Sequence, residues 1–167
     1  MLLVFLLAAF KTEKPKKYMK VSVIIPAFNE EETVANVINV VKKVKYVDEV
    51  IVVNDGSTDN TESEAKSAGA IVINHEVNKG KGEALTTGYR KSDSDIIAFI
   101  DADIHNLTSK KVDAMIRPIL EGRTDITKTK FARESGRVTE LTARPLLNFF
   151  FPEISKSNRR FFYICSR

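Results

Sequence analysis

The chain has 167 residues, a hydrophobic content of 43%, a mean hydropathy of −0.16 and a formal net charge of +4. A chain of this length builds one domain with a proper core, and its composition excludes a disordered protein or a membrane-embedded bundle. The single cysteine, Cys165, excludes a disulfide framework and a zinc site built from cysteines. A reducing, cytoplasmic setting is therefore the expectation.

The net charge is unevenly distributed along the chain. Residues 1–20 carry five lysines and one glutamate, residues 21–122 carry 11 basic and 17 acidic groups, and residues 123–167 carry 10 basic and 4 acidic groups. The acidic part suits a metal-dependent site, and the basic last part suits an anionic co-substrate. Basic motifs interleaved with aromatic residues are missing from the sequence, so nucleic acid is not an expected partner.

The two ends of the sequence differ from its middle. Residues 2–10 are apolar but far fewer than the roughly 20 that a membrane helix requires, and no basic segment of the signal-peptide kind precedes them. We therefore expect residues 1–18 to be an N-terminal extension and residues 19–154 to form the domain. Residues 155–167 are expected to be an atypical, truncated terminus.

The first strand and the first helix are predicted from adjacent segments. Residues 21–25 are apolar apart from Ser22, which is typical of a strand buried on both faces, and Pro26 closes it. Asn29 is the predicted N-cap of the helix, with Glu32 three residues later as in a capping box. Helical spacing then gives one apolar stripe, formed by Val34, Val37, Ile38, Val41 and Val44.

A second strand, a second helix and a short third strand follow. Residues 50–53 are continuously apolar and predict a buried strand. Thr58 or Asp59 is placed to open a helix, and Gly69 is placed to end it. Residues 71–73 then predict a short strand. His75, just beyond it, is interpreted as a surface or turn residue.

Three further elements are predicted before residue 123. Residues 81–91 predict a helix, and residues 96–100 predict a strand. Another helix starts near Ser109 and ends at Gly122. Because Pro118 lies inside that helix, a kink or an early break is expected there.

The predicted elements alternate between strand and helix along the chain. Residues 125–131 predict another strand, and residues 139–150 another helix. Such alternation implies an α/β fold with a mostly parallel sheet flanked by helices and right-handed crossovers.

Acidic and polar residues follow three of the predicted strands. Asp101-Ala102-Asp103 comes directly after residues 96–100, and two carboxylates one residue apart are good oxygen ligands for a hard divalent cation. An isolated Asp-x-Asp is more often a solvated turn. Because the ends of parallel strands share one edge, the polar segments 26–30 and 55–58 are predicted to lie beside this pair, which favours a site.

Three of these segments resemble the nucleotide-binding domain of GT-A glycosyltransferases. Residues 21–34 (VSVIIPAFNEEETV) and 50–61 (VIVVNDGSTDNT) resemble its opening motifs, and residues 99–103 (FIDAD) resemble its Asp-x-Asp motif. This resemblance implies the GT-A fold, in which a nucleotide-diphospho-sugar is the donor.

Two further segments resemble the glucosyl-3-phosphoglycerate synthase family. They are residues 80–85 (GKGEAL) and the unusual stretch 136–147 (GRVTELTARPLL), and the resemblance covers about residues 20–154. It implies transfer of glucose from an NDP-glucose such as UDP-glucose to 3-phosphoglycerate, with retention of configuration. It also implies a divalent metal, Mg²⁺ or Mn²⁺, and a homodimer in the full-length form.

The resemblance assigns donor residues by matching position. Four residues are implied to hold the uridine end: Pro26, Ala27, Asn29 and Glu30. Asp55 is implied to contact uracil, although an Asp before a glycine is also a common turn former. The remaining implied contacts are Ser57 and Lys81 with the nucleotide, Asp101 and Ala102 with the donor, and Asp101 and Asp103 with the ribose and the metal.

The acceptor is assigned to the later segment. Gly136, Arg137, Val138 and Thr139 are implied to form the loop that receives the phosphoglycerate. Backbone amides, a hydroxyl and a guanidinium fork suit a phosphate or carboxylate. His105, two residues after Asp103, is a weaker candidate metal ligand because no partner histidine stands at metal spacing. No catalytic base is named.

Two other functions stay open from the sequence. The first keeps the fold but transfers a sugar to a polyprenyl phosphate at a membrane, which the apolar residues 2–10 favour and residues 136–147 oppose. The second is an inactive, truncated fragment that binds a nucleotide-sugar without transferring it, because members of the family continue well beyond this length.

Overall fold

A computed structural model describes residues 18–129 and, as a backbone strand, residues 160–164. Within these residues a six-stranded sheet has the order β3-β2-β1-β4-β6-β5, and every neighbouring pair is parallel. The predicted α/β architecture is confirmed. The elements in chain order are β1 Val21–Ala27, α1 Val34–Val41, β2 Glu49–Asn54, α2 Thr61–Ser67, β3 Ile71–Asn74, α3 Lys81–Lys91, β4 Ile96–Ile100, α4 Ser109–Leu120, β5 Ile126–Lys128 and β6 Arg160–Ile164.

The central strands are buried on both faces, as their continuous apolar sequences predict. One face packs against α1 and α4, and the other packs against α3. Alternating side chains of β1 divide between the faces, so that Val23 and Ile25 belong to one core cluster and Ile24 belongs to the other. The sheet is therefore the middle layer, and its strand ends are held rigidly from both sides.

The first helix starts later than the sequence predicts. Its N-cap is Thr33, and the backbone carbonyl of Glu30 accepts hydrogen bonds from the amides of Thr33 and Val34 at 3.1 and 3.0 Å. The predicted capping box of Asn29 and Glu32 is therefore wrong. The physical reason is that Asn29, at a φ of 55°, accepts a hydrogen bond from the neighbouring loop instead.

The helix α3 has its predicted bounds, and α2 ends where predicted but begins later. Gly69, at a φ of 77°, follows α2, and its amide donates to the carbonyl of Lys66 at 2.8 Å. The α2 helix begins at Thr61, two residues after the predicted Asp59, whose side chain accepts from the Thr61 amide at 3.0 Å.

The α4 helix tolerates a proline in its last turn. Thr108 caps its start, with its side chain accepting from the Lys111 amide, and the helix reaches Leu120, two residues beyond Pro118. Of the two outcomes expected at Pro118, a kink or an early break, the early break is therefore wrong. The buried residues Val112, Ile116 and Ile119 anchor this helix to the sheet across the proline.

The last two strands extend the sheet beyond β4. The predicted strand over residues 125–131 is confirmed as β5, within Ile126–Lys128. The β6 strand was not predicted, and it lies between β4 and β5 with Ala98 beside Phe162 in the register. The predicted helix over residues 139–150 lies outside the described residues. In the part of the chain that the structure describes, no helix is long and apolar enough to cross a membrane.

Gly88 fixes how closely α3 approaches the sheet. A methyl group added at this position would overlap Ile24 Cγ2 and lie 3.2 Å from Val53 Cγ2, and Ile24 is fully buried. We expect Gly88→Ala to lower the free energy of unfolding by about 1–2 kcal/mol, because overpacking outweighs the better helix propensity of alanine. Urea unfolding measures this change.

Gly82 in the same helix supplies the matched control. No described heavy atom lies within 4 Å of a methyl group added there. Gly82→Ala is therefore expected to leave stability unchanged or to raise it by up to about 1 kcal/mol. Equal effects of the two substitutions would contradict the close packing of α3 on β1.

Candidate functional site

The carboxyl ends of β1, β2 and β4 lie side by side at one edge of the sheet. β1 is the parallel neighbour of both β2 and β4, with Ala27 opposite Asn54 and Ile24 opposite Phe99. The polar segments after these three strands therefore converge, as the sequence predicts. In open α/β sheets this edge is where ligands bind.

The loops after β1 and β2 are joined by hydrogen bonds of Asn29. Its amide donates to Ser57 Oγ at 2.9 Å, and its side-chain Oδ1 accepts from the Thr58 amide at 2.9 Å. The left-handed backbone of Asn29 makes this two-way contact possible, and asparagine tolerates that conformation better than most residues. Asn29 and Ser57, both predicted donor residues, are therefore one connected unit.

A second set of hydrogen bonds joins the same loops further along. The Glu30 amide donates to Thr61 Oγ1 at 2.8 Å, and the Glu31 amide donates to Asp59 Oδ2 at 3.1 Å. The Glu31 side chain in turn accepts from the Asn60 amide at 2.9 Å. These contacts hold the segments that precede α1 and α2 together.

Asp55, at the end of β2, is buried and holds the turn before α3. Its Oδ1 accepts from the Lys79 amide at 2.9 Å and lies 2.6 Å from His75 Nδ1, and its Oδ2 accepts from the Gly80 amide at 2.8 Å. Gly56, beside it, leaves room for this turn, since a methyl group there would lie 2.6 Å from the Asn78 amide nitrogen. The uracil contact of Asp55 stays a prediction.

Several groups act on the pKa of Asp55. Burial raises the pKa of this carboxyl, but hydrogen bonds from the Lys79 and Gly80 amides and from His75 outweigh that effect. The resulting pKa lies below the ordinary value of an aspartate. Asp55 is therefore a fixed negative charge beneath the donor-side loops at neutral pH.

An ion pair connects the start of α3 with the end of β4. Lys81 Nζ lies 2.6 Å from Asp101 Oδ1, and the Asp101 side chain is only 5% exposed, whereas that of Lys81 is 48% exposed. The lysine side chain is therefore half-exposed, while the aspartate side chain stays largely covered. Two residues predicted to contact the nucleotide are brought together here.

Asp103 is the more accessible member of the Asp-x-Asp pair. It is half-buried, whereas Asp101 and Ala102 are 4% and 3% exposed. Among residues 18–129, no group of three or more His, Cys, Asp or Glu side chains is arranged to hold a metal ion, and His105 is exposed. Two carboxylates fit Mg²⁺ that shares its remaining positions with water and substrate phosphates.

The other predicted site residues divide between this edge and the undescribed segment. Pro26 and Ala27 are the last two residues of β1, paired in register with Val53 and Asn54 of β2. The predicted acceptor loop, Gly136, Arg137, Val138 and Thr139, lies outside the described residues. The structure thus assembles the predicted donor residues and leaves the acceptor assignment a prediction.

His75 was misinterpreted from the sequence. It is buried rather than exposed, with Nδ1 facing Asp55 and Nε2 2.9 Å from Thr87 Oγ1. An isolated histidine after a short edge strand carries no periodic signal of burial. Its partners lie 20 and 12 residues away, so only the assembled fold reveals them.

Comparison with known proteins identifies the family of the chain. Residues 22–166 match the family described as Glycosyl transferase family 2. Glucosyl-3-phosphoglycerate synthase of Mycobacterium tuberculosis is 37% identical to this chain in an alignment that covers 85% of this chain and 51% of that protein. The protein of the same name from Petrotoga mobilis is 35% identical, with the same coverage of 85% and 51%.

A solved structure supports the same relationship. The crystal structure of the Mycobacterium tuberculosis synthase in complex with Mn²⁺, UDP-glucose and phosphoglyceric acid has a TM-score of 0.63 and 38% sequence identity, covering 81% of this chain and 52% of that chain. The GT-A fold that the motifs imply is therefore confirmed. The chain spans about half the length of the curated relatives it matches. The matched residues, the shared fold and the strand-end motifs together establish that this chain belongs to glycosyl transferase family 2.

Proposed function

We propose that this chain is a metal-dependent glucosyltransferase that moves glucose from UDP-glucose to 3-phosphoglycerate with retention of configuration. The observation that carries the proposal is the Asp101–Asp103 pair at the end of β4, joined to Lys81 by a 2.6 Å ion pair. Relatives with 35% and 37% identity are named for synthesis of glucosyl-3-phosphoglycerate.

The donor chemistry follows from the charges at this edge. Departure of the diphosphate leaving group develops negative charge on its oxygens, and a bound divalent cation neutralises that charge as it forms. Asp101 and Asp103 are the residues that would hold the cation. Lys81, whose side chain is half-exposed, adds a second positive charge, and the loops that Asn29 and Ser57 join offer polar contacts for the nucleoside.

The acceptor assignment rests on the sequence of the later segment. Arg137 and the amides of residues 136–139 suit the phosphate or carboxylate of 3-phosphoglycerate. Residues 123–167 carry 10 basic and 4 acidic groups, which favours an anionic acceptor. Formation of a homodimer by the full-length form belongs to the same proposal.

The test is a transfer assay with the acceptor varied. The chain is incubated with UDP-glucose, Mg²⁺ or Mn²⁺ and 3-phosphoglycerate, and both UDP and the glucosylated product are quantified by mass spectrometry. We expect UDP release that requires the acceptor and the metal. The proton coupling of the anomeric hydrogen in the product then reports whether configuration is retained.

Three outcomes would contradict parts of this proposal. Turnover no higher than that of an Asp103→Ala variant would contradict the enzyme, and metal-dependent UDP binding without transfer would identify a nucleotide-sugar-binding fragment. Transfer to a polyprenyl phosphate in vesicles, with none to 3-phosphoglycerate, would identify the membrane acceptor instead.

A further inference from the structure

His75 is a buried histidine that contacts side chains on both sides of its ring. Nδ1 lies 2.6 Å from Asp55 Oδ1, and Nε2 lies 2.9 Å from Thr87 Oγ1. Asp55 follows β2 and Thr87 belongs to α3, so the imidazole bridges a strand end and a helix. Buried polar side chains keep such contacts because an unpaired one costs free energy.

The chemistry of the partners fixes the tautomer of His75. An ionised carboxylate only accepts hydrogen bonds, and the lowered pKa of Asp55 keeps it ionised at neutral pH. Nδ1 therefore carries a proton and donates to Asp55. In the neutral ring, Nε2 is then an acceptor for the Thr87 hydroxyl. The ring orientation is set at both nitrogens.

Asp55 links His75 to the start of α3 by hydrogen bonds. The oxygen that faces His75 also accepts from the Lys79 amide, and the other oxygen accepts from the Gly80 amide. Gly80 is the N-cap of α3, and its φ of 87° makes the turn into the helix. The next residue is Lys81, whose ammonium group lies 2.6 Å from Asp101 Oδ1.

We propose that His75 is a positioning residue for donor binding, acting through Asp55 and the 79–80 turn to hold Lys81 beside Asp101. The inference rests on the proposed function, since it takes the nucleotide diphosphate as the ligand of this edge. The influence of His75 passes through the Asp55 carboxylate. The effect of the ring on donor binding therefore depends on one atom, Nδ1, which donates to Asp55.

Two substitutions separate the two ring nitrogens. In His75→Asn the amide nitrogen takes the place of Nδ1 and still donates to Asp55, whereas in His75→Gln the amide takes the place of Nε2 and faces Thr87. If His75 only fills space, both substitutions keep the affinity for the nucleotide or neither does. If His75 acts through Asp55, only His75→Asn keeps that affinity.

The measurement is the affinity of the chain for UDP in the presence of Mn²⁺, determined by titration calorimetry. We expect His75→Gln and His75→Ala to weaken binding by about tenfold or more, since a hydrogen bond to a charged group is lost. His75→Asn is expected to stay within about threefold of the unsubstituted chain. Thr87→Val, which removes only the hydroxyl facing Nε2, is expected to change the affinity by about threefold or less.

Stability measured in parallel separates positioning from folding. If affinity follows the melting temperature across the four variants, or if His75→Gln binds as well as the unsubstituted chain, the inference is overturned. Should the histidine variants not fold, nitrogen-15 NMR of the unsubstituted chain reads the position of the ring proton directly. A proton on Nδ1 of His75 supports the inference, and a neutral ring with its proton on Nε2 alone overturns it. A chain that binds UDP without transferring glucose contradicts only the proposed reaction, whereas one that binds no UDP contradicts both.

Discussion

Asp103→Asn is expected to lower metal-dependent UDP release by about two to three orders of magnitude, the loss typical when a transition-state charge loses its electrostatic partner. The substitution keeps the size of the side chain and removes its charge. Asp103 is half-buried at the open edge, so its loss should leave the melting temperature unchanged. UDP release measured over a range of Mn²⁺ concentrations checks both the rate and the apparent metal affinity.

Asp101→Asn provides an informative comparison at the neighbouring position. Asp101 is 4% exposed and pairs with Lys81, so this change removes a proposed metal ligand and also the negative charge that lies 2.6 Å from the lysine. We expect a comparable loss of turnover together with a lower melting temperature, since the vacated site is largely buried.

Asp93→Asn is the matched control for these two changes. Asp93 lies before β4, at the opposite end of the strand, and its side chain is 82% exposed. The same chemical change there is expected to leave turnover and metal dependence intact. If Asp103→Asn behaves like Asp93→Asn, the cation site does not lie at the Asp-x-Asp pair.

The fold was predictable wherever local sequence and tertiary environment demand the same structure. β4 and α3 have the predicted bounds. For β4 the reason is that a five-residue apolar run rich in isoleucine is too short for a helix and is typical of a buried strand. α1 was predicted four residues too early because Asn29 is an excellent cap in isolation. In the fold, its side-chain oxygen accepts a hydrogen bond from the Thr58 amide instead.

The sequence predicts which residues lie together in the candidate site, but it does not predict which of them are in contact with each other. The strand-end positions of Asp55 and Asp101 follow from the α/β alternation, so their convergence could be inferred. The ion pair of Lys81 with Asp101 and the amides held by Asp55 depend on how the 79–80 turn packs, which no spacing rule encodes. β6 was missed for the same reason, because its partners are the distant strands β4 and β5.

Asp55→Asn is expected to lower the free energy of unfolding by about 2–4 kcal/mol at pH 7. Asp55 is 3% exposed and accepts hydrogen bonds from two backbone amides and from His75. An asparagine keeps one acceptor oxygen and turns an NH₂ group toward a donor, so at least one buried amide loses its partner. Urea unfolding of the two proteins at pH 7 measures the difference.

The same pair of proteins should show a defined dependence on pH. Burial raises the pKa of Asp55, the hydrogen bonds from Lys79, His75 and Gly80 lower it, and the net pKa lies below the ordinary value. A carboxyl with a depressed folded-state pKa stabilises the fold fully above its unfolded-state pKa, about 3.9, and loses that contribution as the pH falls through its folded-state pKa. The stability difference should therefore be constant from pH 7 to about pH 5 and shrink below about pH 4.

The comparison is repeated with His75→Asn present in both proteins, so that the side chain facing Asp55 carries no ionisable group. Asparagine retains a donor to Asp55 but does not titrate, and any change below about pH 4 then belongs to the carboxyl. A stability difference that stays constant down to pH 3 would mean that the Asp55 charge contributes nothing to the fold. In that case the 79–80 turn would be held by the packing against Gly56, where a methyl group would lie 2.6 Å from the Asn78 amide nitrogen, rather than by hydrogen bonds to a charged acceptor.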